Sequence, residues 1–294
     1  MLTDISHYTY GTIAPGKDVH RIREDMKLIR QAMEAEVWFH VCRNYGSMAN
    51  YNLLGKAFAE ASRQTPRVIA KIRCYNAAIL RYDVEDTCTM LGKEQVEIAQ
   101  LSMRAGQSKR GVVDDFIQGG PISEACAALK EEGRIGSLVL EVFFGTSDET
   151  LDALAHDCFD GYTFYYSILQ REASNEVFEG LRAASKPVLA LCAAAGGCAA
   201  PSWYPRRKAE APEDRQVRIY EQIRDLIAEY EVRSWQDLLY GFLNAQENVV
   251  TAIAGTTSPE HLVENLRVAA NPPAVPSELV ARILAIHSDW MGRA

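Results

Sequence analysis

The sequence predicts a closed (β/α)8 barrel, an α/β fold of eight parallel strands wrapped by helices. Apolar strand-like runs alternate with helix-period runs eight times along 294 residues, the pattern that builds a parallel sheet covered by helices. Polar residues stand at the ends of successive strand-like runs, and a parallel barrel keeps its chemistry at those ends. No G-x-G-x-x-G follows the first strand, which sets the open doubly wound sheet second. No linker or low-complexity segment divides the chain. Residues 1–294 therefore read as one barrel domain, with a C-terminal helix over 277–292 packed on it.

The elements follow in order. Tyr8 to Ile13 is a short first strand, and Val19 to Glu36 a helix with Ile22, Met26, Ile29 and Met33 at helical spacing. Trp38 to Cys42 is the second strand, then Tyr51 to Ser62 a helix with Leu53, Leu54, Ala57 and Phe58 on one face. Val68 to Ile72 is the third strand, and Val84 to Leu91 lies in the third helix. Val96 to Leu101 is the fourth strand, followed by a long Gly-containing loop, Arg104 to Gly120, of the kind that carries binding residues. Ser123 to Glu132 is a helix and Leu138 to Phe143 strand five; Thr146-x-x-Glu149 reads as a capping box. Tyr162 to Tyr166 is strand six, Glu176 to Ala184 a helix, and Val188 to Cys192 strand seven. A Pro-rich loop, Pro201 to Pro212, precedes helices over Gln216 to Tyr230 and Trp235 to Asn244. Val249 to Ala254 is strand eight, and Ser258-Pro259-Glu260 opens the next helix, Ser as N-cap and Pro in the first turn.

The net charge of -8 argues against nucleic-acid and anionic-membrane partners. The N-terminus has no basic start or apolar core of a secretory signal, and no apolar run is long enough to span a bilayer. Seven scattered cysteines without a C-x-x-C suit reduced thiols in a cytoplasm. Cys192 and Cys198 flank a Gly pair, but two thiols make a poor metal site, and no metal is expected. The expected partner is a small molecule, and the expected state a monomer or small homo-oligomer.

Val37 to Gly46 reads V-W-F-H-V-C-R-N-Y-G, and Val68-Ile69-Ala70-Lys71 ends the next strand on a lysine. Together they resemble the Asp, Tyr-Gly, Lys pattern of aldo-keto reductases. Further pieces fall in order: Gly11-Thr12, Leu54-Gly55-Lys56-Ala57, Glu85 to Gly92, Glu131-Glu132-Gly133-Arg134-Ile135, Tyr166-Ser167-Ile168-Leu169 and Glu264-Asn265. The chain is thereby identified as resembling the aldo-keto reductase superfamily from about Tyr10 to Asn265, which implies a TIM barrel of the aldo-keto reductase type.

The resemblance implies a catalytic tetrad of Asp, Tyr, Lys and His. Tyr45 and Lys71 match; His40 stands at the Asp position and Ser102 at the His position. It also implies NADP or NAD. The family's carboxamide clamp falls on Glu141 and Val142, its strand-six Gln on Thr163, and its stacking Tyr on Leu191. Gly255-Thr256 replaces the common Lys-Ser at the phosphate end, where His261 takes the usual Arg position. The implied cofactor set is thus Gly11, Thr12, Thr163, Gly255, Thr256 and Asn265, and the site set Tyr45, Lys71, His40, Glu141 and Ser102.

A carboxylate at Glu141 costs too much to bury unpaired, and Lys71 or Arg73 is its natural counter-ion. Three functions compete: a nicotinamide-dependent reductase; a non-redox lyase, dehydratase or isomerase using His40, Tyr45, Lys71 and Glu141; and a non-catalytic binding barrel. The resemblance implies, for an enzyme, a small carbonyl or sugar-like substrate at the C-terminal barrel mouth; the departures from the family pattern lead to the expectation that NADPH-driven reduction is weak or absent, the cofactor being implied by resemblance alone.

Overall fold

The computed structural model describes residues 2–60, 65–103 and 108–291. Eight parallel strands close on themselves: β1 Tyr8–Gly11, β2 Trp38–Cys42, β3 Val68–Arg73, β4 Val96–Ser102, β5 Ile135–Glu141, β6 Gly161–Ser167, β7 Val188–Leu191 and β8 Val249–Ala254. Each pairs with the next in sequence, and β8 returns to β1 with Tyr8 opposite Ala252. A two-residue antiparallel strand, Gln170–Arg171, folds back on β6. The helices are α1 Ile22–Glu34, α2 Ala49–Ala59, α3 Ala77–Leu91, α4 Arg110–Gln118, α5 Pro121–Glu131, α6 Ser147–Ala155, α7 Asn175–Ala183, α8 Trp203–Glu210, α9 Arg215–Glu229, α10 Trp235–Asn244, α11 Pro259–Ala270 and α12 Ser277–Met291.

Strand alternation sorts the side chains. On β2, Phe39 and Val41 face the helices and join the large outer core, whereas Trp38 faces inward. The inner core is Trp38, Ile69, Ile98, Val139, Leu189, Leu191 and Ile253, with Leu2 and Ile5 ahead of β1. Leu2 reaches the first residue of β6, where a Cβ on Gly161 would lie 3.1 Å from its Cδ1 and 2.8 Å from Pro187 O. Most of these residues fill the N-terminal part of the barrel, and the ionisable inward residues stand at the opposite mouth.

The helices start where the sequence provides acceptors. Asn76, Ser174, Ser234 and Ser258 each take a backbone N–H of the first turn of α3, α7, α10 and α11. Gly92 and Gly119 end α3 and α4 with φ of 63° and 69°, a conformation that costs glycine little.

Five expectations are corrected. The Arg104–Gly120 segment holds α4, because Val112 and Val113 are buried and Phe116 packs on the core; residues 104–107 lie outside those described. The Pro201–Pro212 segment holds α8: Pro205 sits in its first turn, where no N–H is needed, and Trp203 and Tyr204 pack on Tyr220. Strand five runs Ile135–Glu141, because Gly133 ends α5 early and the chain turns outward after Glu141. Thr146 does not cap α6 through its side chain; its hydroxyl turns back to Phe143 O at 2.8 Å, and Glu149 instead accepts from Ser108. The first strand also ends at Gly11, two residues early, leaving Ile13 half exposed. The last two residues of the expected 51–62 helix, and residue 292 of the C-terminal one, lie outside the described residues.

Candidate active site

Register fixes which side chains meet. His40 lies opposite Ile69, Cys42 opposite Lys71, Lys71 opposite Gln100, Arg73 opposite Ser102 and Glu141 opposite Thr163. Because strands alternate, His40, Lys71, Gln100, Ser102, Glu141, Thr163 and Tyr165 all point inward near the C-terminal ends.

At the centre is an ion pair. Lys71 Nζ donates to Glu141 Oε1 at 2.8 Å, with the two side chains 15% and 2% exposed. The Ser102 hydroxyl donates to Glu141 Oε2. Burial by itself raises the Glu141 carboxyl; the Lys71 charge and hydrogen bond, then Ser102 and the field of Lys109, outweigh it and hold the group below the ordinary carboxylate range. Burial likewise pulls the Lys71 ammonium down, but Glu141 more than restores it and leaves it raised. Both groups are charged at neutral pH. Of the two expected counter-ions Lys71 is the partner. Arg73 is engaged elsewhere, its Nε and Nη2 on the two oxygens of Asp83 at 2.8 and 2.6 Å.

His40 sits beside this pair without joining it. Its Nε2 lies 2.9 Å from Gln100 Oε1, which can only accept, so the imidazole donates there. Burial first, and then the Lys71 charge, push it down to about 3. The ring is neutral and a poor proton acceptor at physiological pH. Gln100 Nε2 is left buried with no hydrogen-bond partner among the described residues.

Tyr45 follows β2 in a short 3-10 turn, Tyr45–Met48, its ring edge-on to His40 at 6.3 Å. Its hydroxyl makes no hydrogen bond to any described residue. Burial, then the groups at Cys42, Glu141, Tyr165 and Cys192, push the phenol well above its ordinary value. It is a neutral donor.

The residues expected at the cofactor end are placed as follows. Thr12 is fully buried and donates to His40 O at 2.9 Å. Thr163, also fully buried, donates to Leu189 O at 2.8 Å. Gly11 and Gly255 are in close backbone contact: a Cβ on Gly255 would lie 2.5 Å from Gly11 O. The Thr256 hydroxyl accepts from Ser258 N at 3.0 Å at the head of α11. Asn265 is buried in α11 and accepts from Gln236 at 3.1 Å. Gly11, Thr12, Gly255 and Thr256 thus cluster at the β8–β1 side, away from the Lys71–Glu141 pair.

Two residues escaped the sequence reading. Tyr165 shares the inward face of β6 with Thr163, and Lys71 and its phenol influence one another; period-two alternation from Thr163 reaches it. Lys109 stands just ahead of α4, 1% exposed, its ammonium 5.1 Å from the centre of the Phe143 ring. No strand pattern points to it.

The chain matches the model of the aldo/keto reductase family over residues 9–287. Among solved structures it is similar to a holo-form aldo-keto reductase from Bacillus halodurans (TM-score 0.75, 19% identity, covering 97% of this chain and 95% of that one). It is also similar to a Klebsiella pneumoniae aldo-keto reductase in complex with NADPH (TM-score 0.71, 15% identity, 97% and 92% covered). At these identities the likeness establishes the fold. No curated protein matches the chain significantly.

Proposed function

The chain belongs to the aldo/keto reductase family, and on that footing we propose that it acts on a small carbonyl or sugar-like molecule at the C-terminal barrel mouth, by proton transfer and not by nicotinamide-driven reduction. The observation that carries this reading is the Lys71–Glu141–Ser102 cluster. In the family pattern the lysine serves the tyrosine, lowering its pKa for proton donation. Here Lys71 is bonded to Glu141, and the Tyr45 phenol is raised.

The residues at the nicotinamide end do not fit that cofactor as the family holds it. The carboxamide-clamp position is Glu141, a carboxylate already bonded on both oxygens. Thr163 spends its hydroxyl on a strand carbonyl, and Leu191 offers no aromatic face. No hydride step is therefore assigned.

What these side chains support is polarisation of a carbonyl. Tyr45 donates a hydrogen bond to the carbonyl oxygen, and the Lys71 charge stabilises the enolate that forms when the neighbouring carbon loses a proton. Glu141 is, among the described residues, the one carboxylate on the barrel's inward face; paired with Lys71 and Ser102 it is a weak base at rest, and it takes the proton once the carbonyl oxygen has drawn the Lys71 ammonium off it. His40 keeps a positioning role through Gln100, since a ring titrating at about 3 is a weak base.

The NADPH-bound Klebsiella relative favours a second reading, an NADPH-dependent reductase. A titration separates the two. Following the four tryptophans, NADPH is expected to give no saturable quenching below about 1 mM, and a model aldehyde no turnover. Tight binding with turnover overturns the proposal. Exchange of carbon-bound protons of dihydroxyacetone in D2O, read by NMR, should be catalysed and should fall about 100-fold in Tyr45→Phe.

A further inference from the structure

The mouth holds a second lysine that the family pattern does not use. Lys109 is 1% exposed, and its Nζ has no hydrogen-bond partner among the described residues. Two carboxylates reach it electrostatically, Glu141 and Glu149. Neither forms an ion pair with it: Glu141 is taken by Lys71 and Ser102, and Glu149 accepts from Ser108 at 2.5 Å. Its contact with the face of Phe143 offsets only part of the cost of burying an ammonium. The other neighbouring groups are no help. Lys71 repels it, and the Cys74 thiol, pushed up by burial to about 11, is neutral at physiological pH.

A buried cation with no hydrogen-bond partner among the described residues, next to a carboxylate already paired with another lysine, is a site lacking one negative charge. We propose that the ligand of this mouth carries an anionic group, a carboxylate or a phosphate, and that Lys109 pairs with it while the carbonyl end lies toward Lys71 and Tyr45. The inference rests on the mouth being the carbonyl site. Burial pulls the Lys109 amine below its ordinary range, and an anion bound beside it would raise it again. The flexible four-carbon stem lets the ammonium leave the Phe143 face for the anion. Lys109 stands on the β4 and β5 side of the barrel and Tyr45 follows β2, which leaves the ligand's reactive end between them.

Three probes by calorimetry test this: pyruvate for a carboxylate, dihydroxyacetone phosphate for a phosphate, and uncharged dihydroxyacetone. At least one anionic probe is expected to bind tenfold or more tighter than the uncharged one, and which one does identifies the anion. Lys109→Met should abolish that preference, bringing the anionic probe to the affinity of the uncharged one; Lys109→Arg should keep most of it. Lys109→Met removes an unpaired buried charge, so its circular dichroism and melting are expected to match or exceed the parent's. Equal binding of charged and uncharged probes, or a preference that survives in Lys109→Met, overturns the inference alone. Failure of all three to bind overturns the carbonyl-site reading together with it.

Discussion

Replacing Lys71 by Met leaves Glu141 buried with its main partner gone. The interaction lost is large: at the observed 2.8 Å and an effective dielectric of about 20, Coulomb attraction amounts to about 6 kcal/mol. Set against it is desolvation of both ions, several kcal/mol each, so the pair as a unit contributes little net stability. The two statements make different predictions for single and double variants. Lys71→Met and Glu141→Gln should each cost about 3–5 kcal/mol, the usual penalty for orphaning one buried charge. The double variant, with both charges gone and shapes nearly kept, should cost at least about 2 kcal/mol less than the sum of the singles. Urea unfolding at pH 7.5 measures all four corners of the cycle. Singles costing under about 1 kcal/mol, or strict additivity, would show that the two side chains are not a buried pair and would refute the site as drawn.

Other predictions follow from burial and packing. His40 and His287 titrate in the folded chain at about 3 and about 4, both lowered chiefly by burial. Their stabilising effect is complete above an unfolded value of about 6.5 and is lost as pH falls below it. Each should subtract about 2 kcal/mol between pH 8 and pH 5; unfolding free energies at the two pH values should differ less by that amount in His40→Gln or His287→Gln, and an unchanged difference would contradict the buried, neutral rings. Gly55→Ala places a Cβ 2.1 Å from Met90 O of α3, so α2 must move off α3; a loss of about 3 kcal/mol in urea unfolding is expected, and a neutral effect would show that the two helices are not in this contact.

Much of the fold was legible because strand alternation and capping residues are local signals. β2, α10 and β8 run as the sequence predicts, and α11 opens at Ser258-Pro259. The two missed helices, α4 and α8, lie in stretches punctuated by Gly or Pro, where the breaker residues bracket an amphipathic turn instead of replacing it. Pro205 is harmless only because it falls in the first turn. In the site, Glu141 and its need for a counter-ion were legible, since a buried carboxylate must be paired. The choice of Lys71 over Arg73 was not, because it depends on Asp83 of α3 reaching Arg73 first. Lys109 was invisible because its place is set by tertiary packing on Phe143, not by any period in the chain.

The position of the counter-ion decides what Lys71 can do, and this admits a direct test. In the family pattern the carboxylate stands at the position of His40, on β2, the strand that leads into Tyr45. Here it stands on β5, on the far side of β4, and draws the ammonium from Tyr45's strand toward β5. A neutral His40 is consistent with that arrangement, since an acid there would compete with Glu141 for one lysine. His40→Asp alone should therefore destabilise the protein, by burying a second carboxylate and orphaning Gln100. In the Glu141→Gln background the same substitution supplies the missing counter-ion and should recover stability. The sign of its effect in urea unfolding should reverse between the two backgrounds, with a coupling of at least about 2 kcal/mol. An equal loss in both would mean that Lys71 is tied to β5 by more than Glu141, and that β2 no longer has access to it.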